Sequence, residues 1–146
     1  RAGQLADIPY MIGFTSNDLS DMTKPVTDFC MLRSEQSDKP AYAYLFTRQL
    51  PGDSSGAFHS SDLWYVFHAF RHSWRPFTEG DKELSLKMVD FWTNFAKYGD
   101  PNGKENDLWT PCTPDSPRFM VFDANEEKAL LVVTDSPKYL GGTYPR

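Results

Sequence analysis

The sequence predicts an α/β fold, because short apolar strands are mixed with one long amphipathic helix. Strands are expected near residues 8–13, 41–46, 118–122 and 128–132, and a helix is expected from about 79 to 98. The last two strands, "RFMVFD" and "KALLVV", are typical of a hairpin around "ANEE". Strands mixed with a helix of this length favour the α/β class.

The first two strands have different sequence patterns. The segment "PYMIGFTSND" is a short apolar run that passes into a polar turn, formed by Thr15, Ser16, Asn17 and Asp18. The second strand alternates small and aromatic residues from Ala41 to Phe46. That alternation indicates a strand that is packed on both faces.

The long helix has recognisable start and stop signals. Thr78 and Asp81 are three positions apart, as in a capping box, with Asp in place of the usual Glu. Gly99 can adopt a left-handed C-cap, and Pro101 cannot continue the helix. Between these ends, apolar residues recur at helical spacing along one face: Leu84, Met88, Phe91, Trp92 and Phe95.

Composition limits the classes of function. A chain of 146 residues that is 40% apolar has enough material for one globular core. Its net charge of −5 and scattered basic residues argue against a nucleic-acid partner or an anionic membrane surface. No apolar run approaches the roughly 20 residues of a membrane span, and no signal-peptide pattern opens the chain. We therefore expect a soluble protein.

Two further features of the sequence set expectations. The chain begins without Met, on what already resembles a buried strand, so we expect it to be a piece of a longer polypeptide. Cys30 and Cys112 have neither the spacing of a zinc site nor the density of a disulfide scaffold.

The stretch "GDSSGAFH" contains a G-x-S-x-G string around Ser54, which raises the question of a catalytic serine. A nucleophile elbow needs a strand directly before the serine and a helix directly after it. Here Pro51 interrupts any strand before Ser54, and "SGA" continues as loop after it. We interpret the string as a chance match in a loop rich in Gly and Ser.

His59 and Asp18 are better candidates, although residues of these types in loops are more often structural. His59 follows a predicted strand through a loop and precedes an apolar segment, and Asp18 closes the preceding strand. In serine hydrolases of the α/β class the triad order along the chain is serine, acid, histidine. A chain with only the last two would lack the nucleophile.

Three stretches, "MIGFTSNDLS", "GAFHSSDLWYVF" and "MVDFWTNFAKYGDPNG", carry a resemblance to a known family. They resemble the C-terminal part of type-B carboxylesterases, the cholinesterase-like and para-nitrobenzyl-esterase family, and the resemblance covers nearly the whole chain. It implies the C-terminal portion of an α/β-hydrolase fold, a mostly parallel sheet with flanking helices. Residues 1–146 would then form part of a single domain that needs no metal or organic cofactor.

The resemblance also implies site residues. The family's base segment, G-x-x-H-G-x-E-L, maps onto Gly56, His59 and Asp62, which makes His59 the catalytic base. Its acid segment, G-x-x-x-D-E-G, places Asp18 five residues after Gly13 as the triad acid, where the family usually has glutamate. Further departures from the commonest family residues occur at Asn17, Leu19, Ser60 and Asp62.

The spacing of the two candidates departs from the family as well. Only 41 positions separate Asp18 from His59, which is fewer than the family usually has. We therefore expect that segments are missing near "DMTKP" and "FCMLR", where family-like pieces join abruptly.

The function implied by the resemblance is hydrolysis of a small-molecule carboxylic ester. The nucleophilic serine and the oxyanion hole would come from the N-terminal part of the same polypeptide, so we expect the 146 residues alone to be inactive. An alternative is a non-catalytic binding or adhesion protein, since family members that have lost the serine can keep the histidine. The residue at the upstream elbow separates these two hypotheses.

Overall fold

One four-stranded sheet organises the chain in the computed structural model, which describes residues 6–104 and 107–135. The strands β1 to β4 lie side by side in sequence order. Their bounds are Tyr10–Thr15, Ala41–Phe46, Phe119–Ala124 and Ala129–Thr134. β1, β2 and β3 run parallel, and β4 returns antiparallel to β3.

In the described part of the chain, three α-helices connect and cover these strands. They are α1 at Thr23–Gln36, α2 at Leu63–Val66 and α3 at Glu79–Tyr98, and a short 3₁₀ turn spans Phe70–His72. Across the described residues, no helix combines the length and apolar character that crossing a membrane requires.

The predicted strands are confirmed, and β1 and β2 are parallel, in agreement with the mostly parallel sheet that the resemblance implies. The bounds of β2 agree with the prediction, whereas the other three strands begin one or two residues later than expected. Pairing sets the true start of β1, because Tyr10 N–H donates to the Pro40 carbonyl at 3.0 Å. The register then runs from Tyr10 opposite Ala41 to Thr15 opposite Phe46, and this includes a threonine that the apolar pattern left out.

The end signals of α3 are confirmed in detail. The Thr78 hydroxyl accepts the Asp81 backbone N–H, and the Asp81 carboxylate accepts the Thr78 backbone N–H at 2.8 Å, which completes the capping box. Gly99 closes the helix with φ of +70°, and its N–H donates to the Phe95 carbonyl. The long helix therefore begins and ends where its local sequence specifies.

Helix α1 was not predicted, because its buried face is not apolar. Arg33 is fully buried beside Val26 and Cys30, so the helical periodicity of apolar residues is broken. The Arg33 guanidinium donates to the Ile8 carbonyl at 3.2 Å and lies 4.8 Å from the centre of the Tyr10 ring. Of the two stretches where we expected missing segments, α1 begins within the first, at Thr23, and continues through the second.

Helices cover both faces of the sheet, as in an α/β fold. On one face, α3 packs Leu84, Met88 and Phe91 against aromatic residues of the sheet and its loops, namely Tyr42, Phe46, Phe122 and Trp109. On the other face, Val26 and Cys30 of α1 pack against Phe14, Ala43, Leu45, Phe119 and Val121. Alternate residues of β2 point into the two cores, which is why its sequence has no polar face.

A buried ion pair joins the end of β2 to α2 and α3. Asp81 is fully buried, and its carboxylate accepts two hydrogen bonds from Arg48, at 2.7 and 3.2 Å, and one from the Tyr65 hydroxyl at 2.8 Å. Burial would raise the pKa of Asp81, but the hydrogen bonds from Arg48, Thr78 and Tyr65 outweigh it and lower the pKa.

Removal of this carboxylate leaves the Arg48 guanidinium poorly compensated. We expect Asp81→Asn to lower the free energy of unfolding of the intact polypeptide at pH 7 by about 3 kcal/mol. Because folding lowers the pKa of Asp81 from its ordinary 3.8, the stabilisation is present above pH 3.8 and is lost as the pH falls further. Urea unfolding at several pH values measures both effects.

The matched control is Glu79→Gln, which changes an exposed carboxylate on the same helical turn that pairs with Lys82. It should alter the unfolding curve little. A loss of stability for Asp81→Asn no larger than that of this control would contradict the assigned role of the buried pair.

Candidate active site

Two loops meet at one edge of the sheet because β1 and β2 are parallel. The loop after β1, residues 16–22, carries Asp18 and is called the acid loop. The loop after β2, residues 47–62, carries His59 and is called the base loop. The Ser16 N–H donates to the Phe46 carbonyl at 2.9 Å, which continues the pairing of the two strands past the end of β1. The carboxyl edge of a parallel sheet is where α/β proteins generally place their ligands.

The two predicted site residues lie in direct contact. His59 Nδ1 is 2.7 Å from Asp18 Oδ1, which is within hydrogen-bonding distance. The shorter aspartate therefore reaches the histidine without the extra methylene of glutamate, and the 41-residue spacing allows the contact. The Asp18 side chain is 14% exposed and that of His59 is 61% exposed, so the ring is open to an incoming group.

The surroundings of Asp18 favour its ionised form. Its Oδ1 also accepts the Leu19 N–H at 2.7 Å. Burial would raise the pKa of Asp18, but the hydrogen bonds from Leu19 and His59 outweigh it and lower the pKa. A carboxylate can only accept, so His59 Nδ1 carries the proton and Nε2, on the far side of the ring, is left as the basic nitrogen.

A second carboxyl group anchors the base loop to the sheet. Asp62, three positions after His59, is buried, and its Oδ2 accepts the Tyr44 hydroxyl at 3.0 Å. Burial raises the pKa of Asp62, and the nearby charge of Asp18 adds to this despite the Tyr44 hydrogen bond. The motif predicted an acidic residue at this position, but no spacing in the sequence indicated Tyr44 as its partner.

Ser54 does not have the surroundings of a nucleophile elbow. β2 ends at Phe46 and α2 begins at Leu63, so neither element adjoins Ser54. Its neighbour Asp53 accepts a hydrogen bond from Arg75 at 2.8 Å, which ties down this exposed loop. The G-x-S-x-G string is therefore part of a loop, as its proline and glycine neighbours predicted.

The cysteines lie in the core, away from this edge. Cys30 and Cys112 are buried free thiols in the same apolar cluster. A hydrogen bond with the Cys112 thiol, together with burial, raises the pKa of Cys30, which keeps that thiol protonated and unreactive. Over residues 6–104 and 107–135, no group of three His, Cys, Asp or Glu side chains is arranged to hold a metal ion.

The residue after His59 has an unusual backbone. Ser60 has φ of +66°, in the left-handed region that favours glycine. The base segment of type-B carboxylesterases has glycine at this position, and the backbone geometry gives a physical reason for it. Serine here carries a conformational cost in the loop that holds the histidine.

Ser60→Gly should relieve that cost. We expect the substitution to raise the free energy of unfolding of the intact polypeptide by up to about 1 kcal/mol. The gain is reduced because glycine has more conformational freedom than serine in the unfolded chain. Urea unfolding measures the change. Ser55→Gly, in the same loop but without a positive φ, is the control and should not stabilise; equal gains from both would rule out the backbone explanation.

The parallel strands, the antiparallel β4 and the helices on both faces form part of an α/β-hydrolase fold. A thermophilic PNB esterase superposes with a TM-score of 0.61 at 23% identity, over 80% of this chain and 24% of its own. An esterase from Clostridium hathewayi, described as able to hydrolyse aliphatic aromatic polyesters, gives a TM-score of 0.57 at 27% identity. That match covers 70% of this chain and 20% of that esterase.

The chain belongs to the carboxylesterase family, whose sequence model matches residues 15–136. Carboxylesterase 4A of Bos taurus is 34% identical over an alignment of 94 residues, and the match covers 58% of this chain and 16% of that protein. Bile salt-activated lipase of Homo sapiens is 34% identical over an alignment of 98 residues, and the match covers 60% of this chain and 13% of the lipase. The chain thus spans about a sixth or less of the length of these relatives.

Proposed function

We propose that this chain supplies the base and the acid of the catalytic triad in a serine carboxylesterase that hydrolyses small-molecule carboxylic esters. The observation that carries the proposal is the 2.7 Å contact between His59 Nδ1 and Asp18 Oδ1 at the carboxyl edge of the sheet. In the triad of serine hydrolases, the acid holds the histidine through this nitrogen and leaves Nε2 to meet the serine.

We assign the catalytic groups to two parts of one polypeptide. Residues 1–146 would form the C-terminal part of a single hydrolase domain. The N-terminal part of the same polypeptide would contribute the nucleophilic serine, because Ser54 has no strand before it and no helix after it. It would also contribute the backbone N–H groups of the oxyanion hole.

In the first half of the reaction, the serine oxygen attacks the carbonyl carbon of the ester while His59 Nε2 takes the hydroxyl proton. Asp18, kept ionised by its hydrogen bonds, holds the ring in this orientation and stabilises the imidazolium that forms. His59 then gives the proton to the leaving alcohol oxygen as the ester C–O bond breaks. An acyl-enzyme remains.

In the second half, water takes the place of the alcohol. His59 Nε2 removes a proton from water as its oxygen attacks the acyl carbon, and then returns that proton to the serine oxygen. The carboxylic acid leaves and the enzyme is restored. The chemistry requires an exposed histidine, and the ring of His59 is 61% exposed on this part of the fold.

The relatives support an ester as the substrate class. Their names describe carboxylesterases, a lipase and an esterase active on polyesters, all of which act on carboxylic esters. The net charge of −5 does not favour a polyanionic partner.

Replacement of the proposed base tests this function directly. In the intact polypeptide, His59→Ala should lower kcat for a short-chain aryl ester by about 10⁴-fold or more, because the serine then has no group to take its proton. Steady-state hydrolysis measures the loss. Ser54→Ala is the control and should retain wild-type kcat; its inactivation without a change in melting temperature would make Ser54 the nucleophile.

Replacement of the acid gives a separate test. Asp18→Asn should lower kcat by about 10⁴-fold, as the same change does in serine proteases, because an amide favours the wrong imidazole tautomer. Asp53→Asn makes the same chemical change at a carboxylate of the base loop that pairs with Arg75, and it should leave kcat near the wild-type value. Equal losses from the two variants would argue against Asp18 as the acid.

A further inference from the structure

We propose that Asn17 is a positioning residue that fastens the acid loop to the base loop and thereby sets the distance between Asp18 and His59. Its effect on turnover rests on the proposed function, whereas its effect on the Asp18–His59 hydrogen bond does not. Asn17 directly precedes Asp18 in the loop after β1.

Two reciprocal hydrogen bonds carry the inference. The Asn17 backbone N–H donates to the Ala57 carbonyl at 3.0 Å, and the Asn17 side-chain Oδ1 accepts the Ala57 N–H at 3.1 Å. Both polar groups of the Ala57 backbone are thus satisfied by one residue of the other loop, two positions before His59. An isolated parallel bridge between Asn17 and Phe58 describes the same contact.

The base loop leaves space for this amide and depends on it. Gly56 has φ of +72°, and a Cβ atom there would lie 2.5 Å from Asn17 Oδ1. Ala57 is buried in the core next to it, so its N–H would lose its acceptor in this structure if the Asn17 side chain were removed. A buried N–H without a partner costs about 1–3 kcal/mol, which is enough to displace a loop.

The link matters because few direct hydrogen bonds join the acid loop to the base loop. Among the described residues, the direct hydrogen bonds between these loops are the two made by Asn17 and the Asp18–His59 bond itself. The His59 ring is mostly exposed, so core packing does not fix it. Its position relative to Asp18 therefore depends on the backbone that carries it, and Asn17 holds that backbone on the side of Asp18.

Asn17→Leu tests the inference, since leucine has a similar size but cannot accept a hydrogen bond. In the intact polypeptide we expect the downfield ¹H NMR signal of the His59 Nδ1 proton to weaken or disappear. We also expect kcat for an aryl ester to fall by about 10²-fold with KM nearly unchanged, because a displacement of about 1 Å in the catalytic geometry has that effect.

Two variants separate positioning from general stability. Asn17→Asp keeps an acceptor oxygen and should retain the NMR signal and most of kcat. Asn125→Leu removes the same kind of bond at a remote site, where Asn125 Oδ1 accepts the N–H groups of Glu127 and Lys128, and it should change neither readout. The inference is overturned if Asn17→Leu keeps both the NMR signal and kcat. It is also overturned if Asn17→Asp or Asn125→Leu loses the signal and kcat to the same extent as Asn17→Leu.

Two further outcomes remain interpretable. If the wild-type polypeptide hydrolyses no ester but Asn17→Leu still abolishes the Nδ1 signal, the proposed function fails and the positioning role stands. If Asn17→Leu does not fold, amide hydrogen exchange of the wild-type protein decides: the Ala57 N–H should be strongly protected by its bond to Asn17. Exchange of that amide at the rate of an exposed loop would overturn the inference.

Discussion

The parallel pairing of β1 with β2 is the constraint on which the rest of the site depends. It brings the carboxyl ends of two strands to one edge, and the bond from Ser16 N–H to the Phe46 carbonyl keeps them together past the end of β1. Asp18 and His59 are far apart along the chain and meet only because their strands end side by side. A slip of one residue in this register would turn side chains of β1 to the opposite face and remove the contact.

Polar anchors then restrict the base loop on several sides. The buried Asp81 carboxylate joins Arg48, at the start of this loop, to Tyr65 in the helix that follows His59. The buried Asp62 accepts the Tyr44 hydroxyl and ties the loop to β2. Buried carboxylates persist only when they are hydrogen-bonded, so these contacts limit the positions that the loop can adopt. The backbone that carries the exposed His59 ring is thus restrained by buried hydrogen bonds on either side of it in the sequence.

The elements that sequence patterns predicted well are those whose signals are local. The ends of α3 are specified by Thr78, Asp81 and Gly99 within the helix itself, and the bounds of β2 follow from its alternation of small and aromatic residues. α1 was missed because Arg33 occupies a buried position in it, where the guanidinium donates to the Ile8 carbonyl far away in the sequence. A charged residue on the buried face interrupts the regular spacing of apolar residues by which an amphipathic helix is predicted from sequence.

By itself, the sequence determined the fold class, the family to which the chain belongs, and the identity of Asp18 and His59 as the candidate pair. These conclusions depend on local patterns and on motifs read along the chain. Only the tertiary structure decided that an aspartate reaches the histidine at 2.7 Å, that Tyr44 is the partner of Asp62, and that the Asn17 amide accepts the Ala57 N–H. Each of these contacts joins residues far apart in sequence. The register of β1 against β2 brings the loops of the first and third contacts together, and the second forms where the loop after β2 folds back onto that strand; no local pattern encodes either arrangement.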